Sequence, residues 1–381
     1  MSATTAVEYE VIDAVAPIDR AVFGAAWSMP DDAALRLELV RDAVALHLAA
    51  SPAYARFADR LGFSLDRLSV ASDLARVPQI PTLAFKRGVP ITSCPPAEMA
   101  KRCTSSGTLG RRSEVYRDRS TIERLLGSVR QGVELLGDWY DDDVAVLNLG
   151  PGQAEAGDLW FAYVMSLVEL AFPTTHAVRD GHFDPAGSLA RLLRLRTEYR
   201  TVVLIGPPTL VLEVANAAGG HRGGTLGPDE MMVVTAGGWK RHTGAILNRA
   251  DFTTTVVDRL GLAGPDQVRD AFNQVELNTV MLECAARRKH IPPWLEVIVR
   301  DPRTLAPVPD GAEGLLSYLD PSATSYPCFI LADDFGRIEA GPCRCGWHGR
   351  TLSLGRRIKR PEEWGCALKM DRAYLPEVDV T

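Results

Sequence analysis

Three short apolar runs, each ending in glycine, restrict the fold of this chain more than any other pattern in it. The runs cover residues 144–149, 202–205 and 231–234, and they precede Gly150, Gly206 and Gly237. Helix-like segments such as residues 187–199 lie between them. Strands that alternate with helices predict an α/β fold with a largely parallel sheet. Ligands of such a sheet bind at the carboxyl ends of its strands, where these glycines fall.

The N-terminal part of the chain differs from this pattern. Residues 1–100 are mostly helical in character, and a pair of aspartates precedes a broad apolar face over residues 33–50, which predicts a helix there. Pro78 and Pro81 cannot lie inside a helix. We therefore expect residues 77–86 to form an extended connector.

Two further patterns predict local structure. Ser120 and Glu123 have the spacing of a capping box, which predicts a helix that begins there and runs through Leu136. Shorter strand-like runs at residues 295–299 and 314–319 indicate a smaller β-rich subdomain towards the end of the chain.

Composition excludes several classes of protein. The chain has 381 residues, of which 46% are hydrophobic and 24% charged, as in ordinary soluble proteins. A net charge of −6 argues against a nucleic-acid partner. No apolar run reaches the roughly 18 residues of a membrane span, and no basic-then-apolar signal segment opens the chain. Seven cysteines suit a reducing compartment, so we expect a cytoplasmic protein that binds neither nucleic acid nor membrane.

A run of hydroxyl and glycine residues has the chemistry of a phosphate-binding loop. It consists of Thr104, Ser105, Ser106, Gly107, Thr108, Leu109 and Gly110, and Arg111 and Arg112 follow. Backbone N–H groups of such a turn form an anion-binding concavity, to which the hydroxyls add donors. The spacing is neither that of the common P-loop nor that of a dinucleotide fingerprint. The alternative is a solvated surface loop.

A glycine pair follows the third apolar run. Gly237 and Gly238 let a flat ring approach the backbone closely, and Lys240, after Trp239, can reach a phosphate or a carboxylate. The alternative is a plain turn without a ligand.

Cysteine and histidine residues form a candidate metal site. Cys284 and His290 lie close in sequence, and Cys343 and Cys345 follow some sixty residues later. Three sulfurs and one nitrogen make a tetrahedral set for structural zinc. His348 is a competing fourth ligand. The alternative is two unrelated groups of thiols.

These motifs together resemble one family. The Ser/Thr/Gly loop is similar to the T-S-G-T-T-G loop of adenylate-forming enzymes, with Leu109 where the second Thr stands. The G-G-W-K segment at residues 237–240 and the G-C-A-L segment at residues 365–368 resemble those of acyl-protein synthetases. The order E-C…H, then C-x-C-G, is similar to that of phenylacetate–CoA ligases. Over residues 77–368 the chain resembles the acyl-protein synthetase of the bacterial luminescence fatty-acid reductase.

The resemblance implies roles for single residues. Residues 272–276 stand where the superfamily has Y-G-x-T-E, so Glu276 would help to hold Mg²⁺, while Val275 lacks the hydroxyl of the usual Thr. Asp334 would bind the ribose hydroxyls, and Arg356 lies at the hinge that precedes the family's mobile lid. The resemblance assigns catalysis to Cys366, Glu276, Lys240 and Arg356. Nucleotide binding is assigned to Thr104, Ser105, Ser106, Gly107, Thr108, Gly110, Gly237, Gly238, Trp239, Glu276, Asp334 and Arg356.

The end of the chain carries the acyl acceptor that the resemblance implies. Only 26 residues, 356–381, follow Gly355, which is too few for the usual lid domain. Cys366 would instead take the acyl group, and the basic residues upstream favour its reactive thiolate.

The implied activity has two half-reactions. A carboxylic acid and ATP form an acyl-adenylate and pyrophosphate, and a thiol then takes the acyl group. The cofactors would be ATP, Mg²⁺ and structural Zn²⁺, and an acyl-accepting protein such as a reductase is an expected partner. Two alternatives stay open: transfer to a small amine, hydroxyl or carrier, and a non-catalytic protein that binds nucleotide. Self-association also stays open.

We divide the chain into four parts on this basis. Residues 1–100 would form a helical lobe with the connector, and residues 101–290 an α/β core that binds nucleotide and acid. Residues 291–355 would form the β-rich subdomain with the zinc site, and residues 356–381 a short tail. The expected fold is that of the N-terminal domain of adenylate-forming enzymes, with the C-terminal lid missing or severely truncated.

Overall fold

A computed structural model describes residues 16–24, 30–88, 91–106, 112–137, 143–219, 231–237, 241–242, 245–246 and 248–357 of the chain. Its helices are α1 (Pro17–Phe23), α2 (Ala33–Ala50), α3 (Pro52–Arg60), α4 (Thr82–Lys86), α5 (Arg119–Gly132), α6 (Gln153–Ala156), α7 (Trp160–Ser166), α8 (Pro185–Glu198), α9 (Pro208–Ala218) and α10 (Arg249–Leu260). Among these described helices, none is both long and apolar enough to cross a membrane.

The strands form two large sheets and two hairpins. They are β1 (Ile80–Pro81), β2 (Met99–Thr104), β3 (Glu114–Asp118), β4 (Val144–Asn148), β5 (Thr174–His176), β6 (Thr201–Gly206), β7 (Met231–Ala236), β8 (Arg241–His242), β9 (Ala245–Ile246), β10 (Val268–Phe272), β11 (Met281–Leu282), β12 (Lys289–His290), β13 (Glu296–Arg300), β14 (Gly314–Leu319), β15 (Phe329–Ile338) and β16 (Thr351–Arg357). The two hairpins are β2–β3 and β8–β9.

The first sheet has the order β11-β10-β7-β6-β4-β5. All of its strand pairs are parallel except that of β10 with the edge strand β11. The three apolar runs became β4, β6 and β7, and almost all of their residues are buried. Strands buried on both faces read as continuous apolar runs because helices cover a parallel sheet. The predicted α/β fold with a largely parallel sheet is confirmed.

The second sheet is antiparallel in the order β12-β16-β15-β14-β13, and β1 joins it by pairing in parallel with β15. The strands predicted at residues 295–299 and 314–319 are β13 and β14. Residues 77–86, however, are not extended throughout. The chain is extended through Pro81, and helix α4 begins at Thr82 because both prolines precede its first turn.

The helix after the β2–β3 hairpin begins differently from the prediction. Its N-cap is Asp118, whose carboxylate accepts the Thr121 N–H at 2.8 Å. Glu123 pairs with Arg119 instead of closing a capping box with Ser120. The α-helix ends at Gly132, and a 3₁₀ turn continues to Leu136. The capping-box prediction is therefore wrong, since β3 ends one residue before the helix and already presents an aspartate there.

The helical lobe is joined to the antiparallel sheet by a buried ion network. Helix α2 covers residues 33–50 as predicted, and Asp32 caps it by accepting from two N–H groups. Arg36 of this helix is only 4% exposed and donates to Glu296 of β13 at 2.7 Å. Arg350 donates to the same carboxylate at 2.9 Å. Two cations on one carboxylate fix the lobe against the sheet.

The two competing caps of α5 can be separated by mutation. Asp118 caps the helix and its second oxygen accepts the Thr324 hydroxyl at 2.9 Å. Asp118→Ala should lower the free energy of unfolding by about 1–2 kcal/mol, which is the scale of a lost cap. Glu123→Ala is the control and should change it by about 0.5 kcal/mol or less. Chemical denaturation measures the free energy of unfolding of both variants. A larger loss for Glu123→Ala than for Asp118→Ala would support the capping box after all.

Candidate nucleotide site and metal cluster

The base of the Ser/Thr/Gly loop is held by its own hydroxyl groups. Thr104 ends β2, and both its N–H and its hydroxyl donate to the Asp158 carbonyl, at 2.7 and 3.2 Å. The Ser105 N–H donates to the Ser113 carbonyl at 3.0 Å, and the Ser113 N–H donates to the Ser105 hydroxyl oxygen at 2.9 Å. Ser106 is 2% exposed. These hydrogen bonds close and anchor the base of the loop. Gly107, Thr108, Leu109 and Gly110 lie outside the described residues.

The predicted glycine turn begins where β7 ends. Gly237 has a φ of +95°, in the region where a side chain is disfavoured. Ala236 pairs with Ala271 of β10, so this turn and the residues that follow β10 leave the sheet at the same edge. Gly238, Trp239 and Lys240 lie outside the described residues.

The residues that follow β10 form a buried irregular segment, 273–279, that contains Glu276. The Asn273 amide donates to the carbonyls of Leu277 and Thr279, at 3.0 and 2.9 Å. Its oxygen accepts the Trp160 indole N–H at 2.6 Å. Glu276 is 4% exposed. Asn273, which replaces the glycine of the family motif, therefore organises this segment from within.

Arg117 of β3 ties the loop hairpin to segment 273–279. Its guanidinium donates to the carbonyls of Val275 and Leu277, at 2.7 and 3.3 Å, and to the Asn278 side-chain oxygen at 3.2 Å. It also donates to the Tyr326 hydroxyl at 3.1 Å. The sequence analysis missed this residue. The alternation of β3 could have revealed it, because Arg117 lies on the same strand face as the buried Val115.

Asp334 and Arg356 lie in the antiparallel sheet. Asp334 belongs to β15 and is half-buried, and it pairs with Arg357 of β16 next to an irregularity in the register. Its neighbour Asp333 accepts the Thr82 hydroxyl at 3.1 Å. The backbone of Arg356 lies in β16, while its side chain is outside the described part of the structure. Cys366 also lies outside it.

A cavity of about 500 Å³ opens at the carboxyl ends of β4 and β5. His176 lines it, and its Nε2 donates to Glu169 at 2.6 Å. Its Nδ1 accepts from the Asn148 amide at 3.2 Å, since the Asn148 oxygen already accepts the Gly150 N–H. Both ring nitrogens are thus occupied, and the imidazole is fixed in the cavity wall.

The four predicted metal ligands come together. The ligand atoms of Cys284, His290, Cys343 and Cys345 all lie within 4.8 Å of one another. The sulfurs of Cys284 and Cys343 are 3.6 Å apart, and the Cys345 sulfur is 3.3 Å from His290 Nε2. A tetrahedral zinc site with bonds of about 2.3 Å to sulfur places its ligand atoms about 3.8 Å apart. The donor set and its spacing therefore fit zinc.

The surroundings of the cluster orient its ligands. The His290 Nδ1–H donates to the His348 carbonyl at 3.3 Å, which leaves Nε2 free to face the sulfurs. The contact of His348 with the ring of His290 is thus made by its backbone carbonyl. Gly346 has a φ of +85° and its N–H donates to the Cys343 carbonyl, which forms the tight turn of the C-x-C pair.

Burial dominates the protonation of the cluster. It lowers the pKa of His290 to about 4 and raises the pKa of Cys284 above its usual value. Burial, with the neighbouring thiols, raises the pKa of Cys345 to about 12. A neutral imidazole is ready to bind a metal, whereas crowded thiols ionise easily only when a cation neutralises them.

Buried charges connect the cluster to the parallel sheet. Lys289, next to His290, lies 2.7 Å from the Asp270 carboxylate of β10. Asp270 also accepts the Thr235 hydroxyl of β7 at 2.8 Å. Glu283, next to Cys284, pairs with Arg249 of α10. The predicted metal ligands are therefore attached to the same strands whose ends carry the glycine turn and segment 273–279.

The fold is that of adenylate-forming ligases. The chain superposes on 2-hydroxyisobutyryl-CoA ligase, solved in an open conformation with 2-HIB-AMP and CoA, with a TM-score of 0.65. The match covers 87% of this chain and 76% of that one at 16% sequence identity. The same ligase in its postadenylation state also gives a TM-score of 0.65, with 85% of this chain and 67% of that one covered at 15% identity.

Sequence comparison then defines the family. The model for "Acyl-protein synthetase, LuxE" matches residues 3–375. A long-chain-fatty-acid–luciferin-component ligase of Vibrio harveyi is 39% identical over 385 residues, covering 100% of this chain and 99% of the relative. Its counterpart in Aliivibrio fischeri is 38% identical over 344 residues, with 90% of each chain covered. The chain belongs to the LuxE acyl-protein synthetase family, and the resemblance stated from its motifs is confirmed.

Proposed function

We propose that this protein activates a long-chain fatty acid with ATP and transfers the acyl group to a thiol. The observation that carries the proposal is the family match over residues 3–375, together with the names of the two relatives. A carboxylate oxygen attacks the α-phosphorus of ATP, and pyrophosphate leaves. A thiolate then attacks the carbonyl carbon of the mixed anhydride, and AMP leaves.

ATP would bind where the hairpin loop and the ends of β7 and β10 meet. The loop from Ser106 to Gly110 would supply backbone N–H groups to the phosphates, with hydroxyls of Ser105, Ser106 and Thr108. Thr104, predicted to bind nucleotide directly, would instead anchor the loop, because its N–H and hydroxyl both donate to the Asp158 carbonyl. Gly237, Gly238 and Trp239 would form the surface for the adenine ring. Asp334 would accept from the ribose hydroxyls.

Three residues would serve the chemical step. The carboxylate of Glu276 is the kind of oxygen ligand that Mg²⁺ prefers, and Mg²⁺ when bound neutralises charge on the phosphates. Lys240 and Arg356 would stabilise the negative charge that develops during adenylation.

Cys366 would be the first acyl acceptor. It lies within the G-C-A-L segment, downstream of several basic residues that favour a thiolate. An acyl-accepting protein, such as a reductase, would then receive the group from this thioester.

Cys284, His290, Cys343 and Cys345 would hold one structural zinc ion. The close approach of three sulfurs and one imidazole nitrogen supports this assignment. Four protein ligands leave no open position for water, so the ion would stabilise the fold and take no part in the reaction.

We propose the division at residues 100, 290 and 355, a place in the phenylacetate–CoA ligase branch, and a cytoplasmic location without nucleic-acid or membrane partners. The C-x-C-G order supports the branch, and the net charge of −6 and the free thiols support the location.

Pyrophosphate exchange tests the proposed function. With ATP, Mg²⁺ and a panel of carboxylic acids, exchange should appear with long-chain fatty acids and be weaker with short or aromatic ones. Exchange with none of the acids by a protein that binds ATP would favour the non-catalytic alternative.

Calorimetry tests the proposed ribose contact. Asp334→Ala should weaken ATP binding by about 1–3 kcal/mol, because a hydrogen-bonded carboxylate is lost. An unchanged ATP affinity would remove Asp334 from the site.

Intact-mass spectrometry after incubation with acid and ATP tests the acceptor. Cys366→Ser should keep pyrophosphate exchange and lose the covalent acyl adduct, since only the second half-reaction needs the thiol. Cys94→Ser is the control, because Cys94 is a half-buried thiol outside the metal cluster, and it should keep the adduct. An adduct on the Cys366→Ser chain would point to another cysteine. No adduct on the unmodified chain would favour a small-molecule acceptor.

Elemental analysis tests the zinc site. The protein should contain one zinc ion per chain, and His290→Ala should lose it with a lower melting temperature. His348→Ala should keep the ion, because only the backbone carbonyl of His348 contacts His290. Freshly purified protein without zinc would contradict the assignment. If His348→Ala loses zinc while His290→Ala keeps it, His348 is the fourth ligand in place of His290.

A further inference from the structure

We propose that Arg117 is a positioning residue for ATP, which fixes the β2–β3 hairpin at the base of the Ser/Thr/Gly loop against the segment that carries Glu276. This inference rests on the proposed function, because it assumes that both elements bind the nucleotide. Arg117 would touch neither ATP nor the acid. It would act by holding two ligand-binding elements at the right separation.

The contacts of Arg117 surround Glu276. The two carbonyls that it binds belong to Val275 and Leu277, the residues on either side of Glu276. The Tyr326 hydroxyl accepts from Arg117 and donates to the Glu276 carbonyl at 3.1 Å. The backbone of Glu276 is therefore held on both sides and at its own carbonyl. A shift of Arg117 would move the carboxylate with it.

The other side of the contact is the loop hairpin. β2 and β3 form a separate two-stranded sheet, and such a ribbon is only marginally stable by itself. Its position must come from contacts with the rest of the protein. Thr104 provides one contact through Asp158, and Arg117 provides another, four residues after Ser113 at the base of the loop. Lys101 and Arg102 also bind Gly157 and Asp158 on the side of Thr104, whereas Arg117 binds segment 273–279.

The shape and burial of the Arg117 guanidinium support this role. Its guanidinium is completely buried, and its Cζ lies 3.6 Å from the centroid of the Trp160 ring. The four hydrogen-bond acceptors are all neutral oxygens. Burying a cation against neutral groups is costly, so packing alone does not explain the residue. The four contacts come from Nε and Nη2, whose donor directions are fixed by the guanidinium plane. A lysine ammonium is a point charge on a flexible stem and does not reproduce this geometry.

Arg300 offers a matched control. It is 7% exposed and binds four oxygens in the same way: Gln79 Oε1 at 2.9 Å, Ser317 Oγ at 3.0 Å, and the carbonyls of Leu305 and Ala75 at 2.8 Å each. These partners belong to the antiparallel sheet and to the helical lobe. Arg300→Lys therefore removes a comparable set of contacts away from the loop hairpin.

The experiment compares Arg117→Lys with Arg300→Lys. Both variants should lower the melting temperature. Arg117→Lys should also weaken ATP binding by about tenfold or more in calorimetry, at a temperature well below both melting transitions. AMP, which lacks the β- and γ-phosphates, should lose less affinity than ATP. Arg300→Lys should keep the ATP affinity within about twofold.

Tyr326→Phe keeps the inference testable if Arg117→Lys does not fold. This variant removes the one hydroxyl that links Arg117 to the Glu276 carbonyl. It should weaken ATP binding and leave the KM for a fatty acid unchanged. Unchanged ATP affinity in the folded variants, or equal losses in Arg117→Lys and Arg300→Lys, would overturn the inference. Failure of the unmodified protein to bind ATP would overturn the proposed function as well, so the two failures can be told apart.

Discussion

The two sheets meet at segment 273–279, and the rest of the structure depends on the hydrogen bonds that satisfy it. A largely buried irregular segment lacks the regular partners of a helix or a strand, so its backbone N–H and C=O groups need specific ones. Arg117 and Asn273 bind its carbonyls, and Asp320 accepts the Thr279 N–H at 2.8 Å. Asp320 is itself completely buried, and burial raises its pKa. Polar side chains from distant parts of the chain thus define one conformation of this segment.

Buried polar contacts also join the cluster of cysteines and His290 to the edge of the parallel sheet. Glu283 and Lys289 pair across a β-bridge, and each is the sequence neighbour of a predicted ligand. Side chains alternate along an extended chain, so Cys284 and His290 face the cluster while their neighbours reach Asp270 and Arg249. A buried ion network costs desolvation, but it fixes the register of the elements that it joins. The cluster is thereby placed at a set distance from the end of β10.

The sequence was informative where a single element determines its own structure. The strands from residues 144 and 314 and helix 33–50 follow from local patterns, and the cysteine spacing pointed to four side chains that do lie close together. The sequence was not informative where contacts with other elements determine the structure. The choice of Asp118 as the cap depends on where β3 ends. The alternation of β3 can indicate that Arg117 is buried, but its acceptor, the Val275 carbonyl, lies 158 positions away in the sequence. No pattern within one segment contains such information.

The pairing of β1 with β15 has a consequence for biosynthesis. Ile80 lies opposite Ile330, so 250 residues separate the partners. At a synthesis rate of about 5–20 residues per second, roughly 10–50 seconds pass between the two strands. During that time the helical lobe lacks the antiparallel sheet on which it docks. Arg36 likewise lacks the Glu296 carboxylate as its partner until β13 has been synthesised. The lobe emerges first from the ribosome and completes its tertiary contacts only after the late strands of the chain have been made.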